Sequence, residues 1–341
     1  MQYRHFSKAM NPQLSFAEYS PLLARYGIAS PEILLERWRE PHRFYHTEAH
    51  LADLLRQIAQ SSFSETERQT LQMVAFFHDI VYLPTRHDNE EASAVFFRQH
   101  TSPQADSALI EEIILDTKTH QARSPLSAYF CQIDTAIVRT ELPELLLWED
   151  AIFKEFQCFD YSMYKMGRLA VLERFAALYP ENTAHLQALI AYVQYRRPKI
   201  GVYPGSFNPF HNGHLNILEK AERVFDKVIV ARGINPEKQG IEKEALNPVL
   251  YYRQVEDFEG LLTDYISQKE AEADITLIRG LRNGDDLAYE MNQLRFMRDM
   301  KDDLKTVFFH CDKEFEHISS SAIRNLEKIG QGYGQKYIPQ M

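Results

Sequence analysis

His211 and His214 stand three residues apart, with Gly213 between them, in the stretch YPGSFNPFHNGHL at residues 203–215. A packed core does not select this mixture. An imidazole is costly to bury without polar partners, and Gly-Ser-Phe-Asn-Pro continues neither a strand nor a helix. Two imidazoles beside a turn suit a phosphate: they donate hydrogen bonds to its oxygens and add less fixed charge than two lysines. That balance fits a reaction in which negative charge grows on a phosphate and must be stabilised in place. Other groups of this kind follow along the chain. Lys238 lies in INPEK, Arg279 and Arg282 in LIRGLRNGDD, and Ser319, Ser320 and Ser321 in EHISSSAIRNL. The serines precede a helix, where hydroxyls and free backbone N–H groups are expected to face phosphate oxygens. The GxxxxGK[ST] pattern of a P-loop is absent.

A second constellation lies in the first half of the chain. RFYHTEAHL carries His46 and His50 one helical turn apart, so both face one way. FFHDIVY places His78 and Asp79 together in an apolar run, where a charged Asp is costly unless paired or bound to metal. DNEEASA adds Glu90, LDTKTH adds His120, and CQIDTAIV sets Asp134 among apolar residues. One histidine of this kind is more often a satisfied core residue than a ligand; the whole set reverses that balance. Mixed imidazole and carboxylate donors suit a divalent ion with open positions, such as Mn, Fe, Co, Ni or Mg, better than a structural zinc site.

The two constellations need different scaffolds. From residue 15 to about 196, apolar residues recur three and four apart, as in LADLLRQIAQ, TLQMVAFFHDI, SALIEEIILDTKTH and GRLAVLERFAALYP, which predicts helices and no strand. At YRRPKIGVYPG the texture changes. KIGVYPG, DKVIVARG, DITLIRGL and KTVFFH read as short buried strands, and HLNILEKAERVF between them as an amphipathic helix. This alternation predicts a parallel sheet with crossover helices, its ligands bound beyond the carboxyl ends of the strands. Pro198 cannot continue the preceding helix. The expected domains are therefore 1–197, all-α, and 198–341, an α/β Rossmann-like parallel sheet.

At 341 residues the chain has room for two domains. Its net charge of -10 argues against a general nucleic-acid or anionic-membrane binder and leaves small phosphate ligands open. Cys131, Cys158 and Cys311 lie far apart with no CxxC pair, which fits a reducing cytoplasm. No run approaches the ~18 apolar residues that span a bilayer, and the N-terminus shows no signal-peptide pattern. A cytoplasmic protein without nucleic-acid or membrane partners is expected.

Residues 199–341 resemble the phosphopantetheine adenylyltransferases, within the nucleotidyltransferase superfamily marked by HxGH or TxGH and an ISSS-R-type motif. The resemblance rests on YPGSFNPFHNGHLNILEKA, FDKVIVA, FEGLLTDY, LIRGLRNGDDLAYEMNQLRFMRDM and EHISSSAIRNL, in that order. It implies transfer of an adenylyl group from ATP, with Mg²⁺, to 4'-phosphopantetheine, and a homo-oligomer. It places the nucleotide among Gly205, Ser206, Phe207, His211, His214, Arg279, Gly280, Arg282, Glu290 and Ser319 to Ser321, and the acceptor phosphate at Lys238. Ser206, His211, His214, Lys238 and Arg279 form the implied catalytic set. The chain departs from the family with Asn208 in place of Asp, His211 in place of Thr, and a shortened segment after Lys238. Another phosphorylated acceptor, such as nicotinamide mononucleotide, therefore stays open.

Most of residues 30–196 resemble the HD-domain metal-dependent phosphohydrolases, patterned His…His-Asp…Asp, through YHTEAH, FFHDIVY, DNEEASA and IDTAIV. This implies a first metal on His50 (or His46), His78, Asp79 and Asp134, with Glu90 and His120 holding a second metal or the substrate. The whole reads as a bifunctional enzyme. Its alternative is a hydrolase regulated by a non-catalytic nucleotide-binding domain.

Overall fold

The structure, a computed structural model, describes residues 16–234 and 245–340. It divides into two compact units. One comprises residues up to 155 together with 171–190, and the other residues 156–170 together with 191 onward.

The first unit is helical, with no strand among its described residues. It carries α1 (Ser20–Arg25), α2 (Glu32–Trp38), α3 (Glu48–Ala59), α4 (Glu65–Phe77), α5 (Asn89–His100), α6 (Ser107–Asp116), α7 (Pro125–Asp134) and α8 (Leu142–Glu155). α9 (Tyr161–Leu178) and α10 (Thr183–Tyr195) contribute residues to both units. Local chemistry sets the helix starts. Thr47 caps α3 by accepting from the Ala49 N–H, and Ser64 and Glu67 form a capping box on α4. Ser124 caps α7, and Pro125 occupies its first turn. The last turns of α4, Met73 to Phe77, are completely buried and pack with Leu51, Leu54, Ile113, Ile114 and Phe130. Burying that helix end carries His78 and Asp79, which follow it directly, into the interior.

The second unit is a five-stranded parallel sheet in the order β3-β2-β1-β4-β5. Its elements are β1 (Lys199–Gly205), α11 (Asn212–Glu222), β2 (Lys227–Gly233), β3 (Gln254–Phe258), α12 (Leu262–Lys269), β4 (Asp274–Leu281), α13 (Gly284–Met300), β5 (Thr306–His310) and α14 (Ser320–Ile329). β1 and β2 are buried on both faces through Ile200, Val202, Val228, Ile229 and Val230, the pattern of a sheet covered by helices. Four strands match the sequence reading. β3 was not anticipated, because QVEDF is short and lies at an edge, where half-exposed carboxylates are tolerated.

The order reverses between β1 and β4, so the loop after β1 opens at the switch point of the sheet. At the opposite, amino-terminal ends of the strands, polar bonds hold residues 156–160 against the sheet. Lys227, buried at the start of β2, donates to the Gln157 carbonyl. Asp160 accepts from Lys269 at 3.0 Å and from Gln254 at 3.3 Å. Those contacts are why the second unit starts before Pro198. All three cysteines are free thiols. No helix among the described residues is long and apolar enough to cross a membrane.

Candidate active sites in the two units

In the sheet unit the loop after β1 is shaped by aromatic packing. Phe207 adopts a left-handed backbone with φ 46°, and its ring covers Gly205. A Cβ at Gly205 would sit 2.9 Å from that ring, so any larger residue there would displace it. The Phe207 ring also packs edge-on against Tyr203 and His214, with centroids at 5.2 and 5.0 Å.

The two histidines form a reciprocal cap on α11. The backbone N–H of His214 donates to Nδ1 of His211 at 3.3 Å, and the N–H of His211 donates to Nδ1 of His214 at 3.3 Å. The rings stack with centroids 3.5 Å apart. A nitrogen that accepts a hydrogen bond carries no proton, so each ring's proton lies on Nε2. Burial pushes His211 down to about 4, with nearby Arg282 acting the same way. Burial, then His211 and Arg282, hold His214 well below its ordinary range. The pair is therefore neutral at pH 7 and presents Nε2–H donors. Gly213 is what allows the stack: a Cβ there would lie 3.1 Å from the His211 ring.

The remaining expected residues fall into three groups. Arg279, on β4, and Glu290, on α13, form an ion pair at 2.5 Å, and Gly280 has Ile217 and the Tyr203 hydroxyl against its open face. Arg282 forks onto Asp286 at 2.9 and 3.1 Å, which ties it to the first turn of α13. Ser206 is exposed beside the loop.

The three serine side chains also make contacts within the protein. Ser319 Oγ caps α14 by accepting from the Ala322 N–H, Ser320 Oγ donates to the Pro209 carbonyl at 3.0 Å, and Ser321 Oγ accepts from Arg324 at 3.1 Å. The start of α14 offers an anion its helix N-terminus together with the O–H donors of Ser319 and Ser321, whose oxygens only accept in these bonds. Arg324, the arginine of the ISSS-R-type motif, also donates to the Asn208 carbonyl and so joins the two motifs. It stands one turn after Ser321, on the same face of the helix. Lys238 lies outside the described residues.

In the helical unit α3, α4 and α7 bring three expected ligands together. One donor atom each from His50, His78 and Asp134 lies within 4.8 Å of the others. His50 Nε2 is 3.2 Å and His78 Nε2 3.5 Å from Asp134 Oδ1, and His120 Nε2 is 3.5 Å from Asp134 Oδ2. Asp79 Oδ2 reaches His78 Nε2 at 3.2 Å. Burial alone would lower His78, but the Asp79 and Asp134 carboxylates push it up to about 10. Two imidazoles and a carboxylate converging on one point are a donor set that fits a divalent cation.

Of the first two histidines, His50 sits in this group. His46 is drawn to Glu155, at 2.7 Å from its Nδ1. Glu90 is half-buried and feels the charge of Asp79, which adds to burial in raising its carboxyl. It is not one of the converging ligands. Glu155 was missed because it closes an apolar run, AIFKE, and gives no spacing signal.

The family described as cytidylyltransferase-like matches residues 202–326. Among curated proteins the chain is similar to phosphopantetheine adenylyltransferases. It is 34% identical over 140 residues to that of Clostridium novyi, covering 85% of that protein and 39% of this chain. It is 37% identical over 151 residues to that of Streptococcus pneumoniae, covering 91% of that protein and 42% of this chain. It is 37% identical over 144 residues to that of Syntrophomonas wolfei, covering 88% of that protein and 40% of this chain.

Proposed function

We propose, from the premise that this chain belongs through its C-terminal region to the phosphopantetheine adenylyltransferase family, that it transfers the adenylyl group of ATP to 4'-phosphopantetheine. The products would be dephospho-CoA and pyrophosphate. The observation that carries the mechanism is the neutral His211–His214 pair, its Nε2–H groups free of the cap, at the N-terminus of α11. An acceptor phosphate oxygen attacks the α-phosphorus in line. The bond from the α-phosphorus to the bridging oxygen breaks, and pyrophosphate leaves. His214 and His211 donate to phosphate oxygens whose charge grows in that step. The starts of α11 and α14 add their dipoles. Gly205, Ser206 and Phe207 line the phosphates, Arg279, Gly280, Arg282 and Glu290 serve the nucleotide side, and Lys238 holds the acceptor phosphate. ATP enters as its Mg²⁺ complex.

The test is pyrophosphate release from MgATP with and without 4'-phosphopantetheine, with the product identified by mass. Release that requires this acceptor and yields dephospho-CoA supports the reading. Release only with another phosphorylated acceptor, such as nicotinamide mononucleotide, overturns the acceptor and keeps the transfer. The shortened segment after Lys238 is the feature that favours this second outcome. ATP binding without turnover on any acceptor would favour a regulatory nucleotide-binding role. In the same assay Gly213→Ala, which forces the His211 ring to shift by a few tenths of an ångström, lowers kcat/KM roughly tenfold, since small misplacements are expensive in a positioned site. An unchanged kcat/KM would show that the stack is not needed.

For the helical unit we propose a metal-dependent phosphohydrolase, a reading supported by the convergence of His50, His78 and Asp134. A divalent cation bound there would make a water more acidic and a phosphate ester more electrophilic. Asp79 lies against His78 at the edge of that group, and His120 against Asp134.

A further inference from the structure

Glu155 ends α8 with a side chain fully removed from solvent. Five groups surround its carboxylate. Oε1 accepts three consecutive backbone N–H groups, from Phe44 at 2.8 Å, Tyr45 at 2.7 Å and His46 at 2.9 Å. Oε2 accepts the Tyr82 hydroxyl at 2.8 Å and lies 2.7 Å from Nδ1 of His46. An ionised carboxylate only accepts, so Nδ1 of His46 carries a proton. Three backbone N–H groups and one hydroxyl already donate to the two oxygens of Glu155, which leaves the carboxylate as an acceptor on every side. The Tyr82 ring, with its centroid 4.2 Å away, keeps the imidazole from turning.

The consequence lies on the other side of the ring. Nε2 of His46 faces Asp79 Oδ2 at 4.0 Å. That is too long for a hydrogen bond. It matches two donors sharing one cation, which sit about 3–4 Å apart when each bond is about 2.1 Å.

We propose that Glu155 is a positioning residue: it fixes His46 as the Nδ1–H form and turns Nε2 toward Asp79 as a further cation-binding nitrogen beside the His50–His78–Asp134 group. The cation half of this rests on the phosphohydrolase reading, while the tautomer half stands without it. A carboxylate behind a ligating imidazole sets ring orientation and raises donor strength, and its loss commonly costs 10–100-fold in metal affinity.

Glu155→Gln separates this role from simple support of the fold. Its amide oxygen still accepts the three N–H groups. Its NH₂ then points at Nδ1 and drives the ring proton to Nε2. Three measurements are made on the full chain: ¹⁵N spectra of labelled histidine at a pH where His46 is neutral, Mn²⁺ affinity by calorimetry, and Tm. The expected results are Nδ1–H in the wild type and Nε2–H in the variant. Mn²⁺ affinity should fall roughly 10–100-fold, with the Tm little changed. A wild-type Nε2–H spectrum overturns the proposal. So does a tautomer switch that leaves Mn²⁺ affinity within twofold. If the Gln variant does not fold, His46→Ala must lower Mn²⁺ affinity by a similar factor, and unchanged affinity there refutes the ligand role. A wild type that binds no Mn²⁺ sinks the phosphohydrolase reading and the cation half together, and the wild-type spectrum still decides what Glu155 does to His46.

Discussion

His214→Ala cuts acceptor-dependent pyrophosphate release by about 10²–10³-fold in kcat, the usual cost of removing one donor from a developing phosphate or oxyanion charge. The effect is expected in kcat more than in ATP affinity, because a neutral donor grips the ground-state phosphate weakly and the transition state more strongly. The variant also strips the His211 N–H of its acceptor, a cap loss of about 1 kcal/mol, so Tm and ATP binding are measured beside the rate. A rate within fivefold of wild type, with ATP still bound, would remove His214 from the mechanism.

Acid should affect this unit through its stability. His211 has a folded pKa of about 4, against about 6.5 for an unperturbed imidazole. Below pH 6.5 the unfolded chain takes up the proton first, so stability falls as pH drops from 6.5 toward 4. Above that window the pair stays neutral. An activity loss between pH 6 and 9 must therefore come from another group.

The histidines of the sheet unit were legible because chemistry and chain order coincide there. A strand, a glycine turn and a helix start all fall within residues 199–215, and the motif sits in the turn. What the sequence hid was the partnership. Nothing in HNGH says that each imidazole caps the other's backbone, because that depends on both rings folding back over Gly213. The serine triplet hid its partners in a related way. Three hydroxyls before a helix look alike, yet one accepts as the helix cap and its neighbour donates to the Pro209 carbonyl. Glu155 was illegible for a different reason. Its partners lie 73 to 111 residues away along the chain, and no local periodicity reports a contact of that range. The edge strand β3 was missed because its half-exposed carboxylates lack the alternation that marks a half-buried strand.

The second large effect belongs to the helical unit. Asp134→Asn abolishes Mn²⁺-dependent hydrolysis of phosphomonoesters and lowers Mn²⁺ affinity at least 10²-fold. The carboxylate of Asp134 stands among three imidazoles, at 3.2 Å from His50, 3.5 Å from His78 and 3.5 Å from His120, so its charge is the one feature those side chains share. Asn keeps the volume and one acceptor oxygen but contributes no charge to a cation. Its amide nitrogen also presents a donor to rings that already donate. A buried charge cluster that loses one member is destabilised by about 3–5 kcal/mol, so the helical unit should melt earlier. The variant must therefore be assayed well below its midpoint, with helicity confirmed by circular dichroism. Adenylyl transfer, which depends on residues of the other unit, should stay within twofold of wild type. Retention of both Mn²⁺ affinity and hydrolysis by a folded Asp134→Asn chain would mean that the imidazole–carboxylate group is a packed polar core, and the phosphohydrolase reading would fall with it.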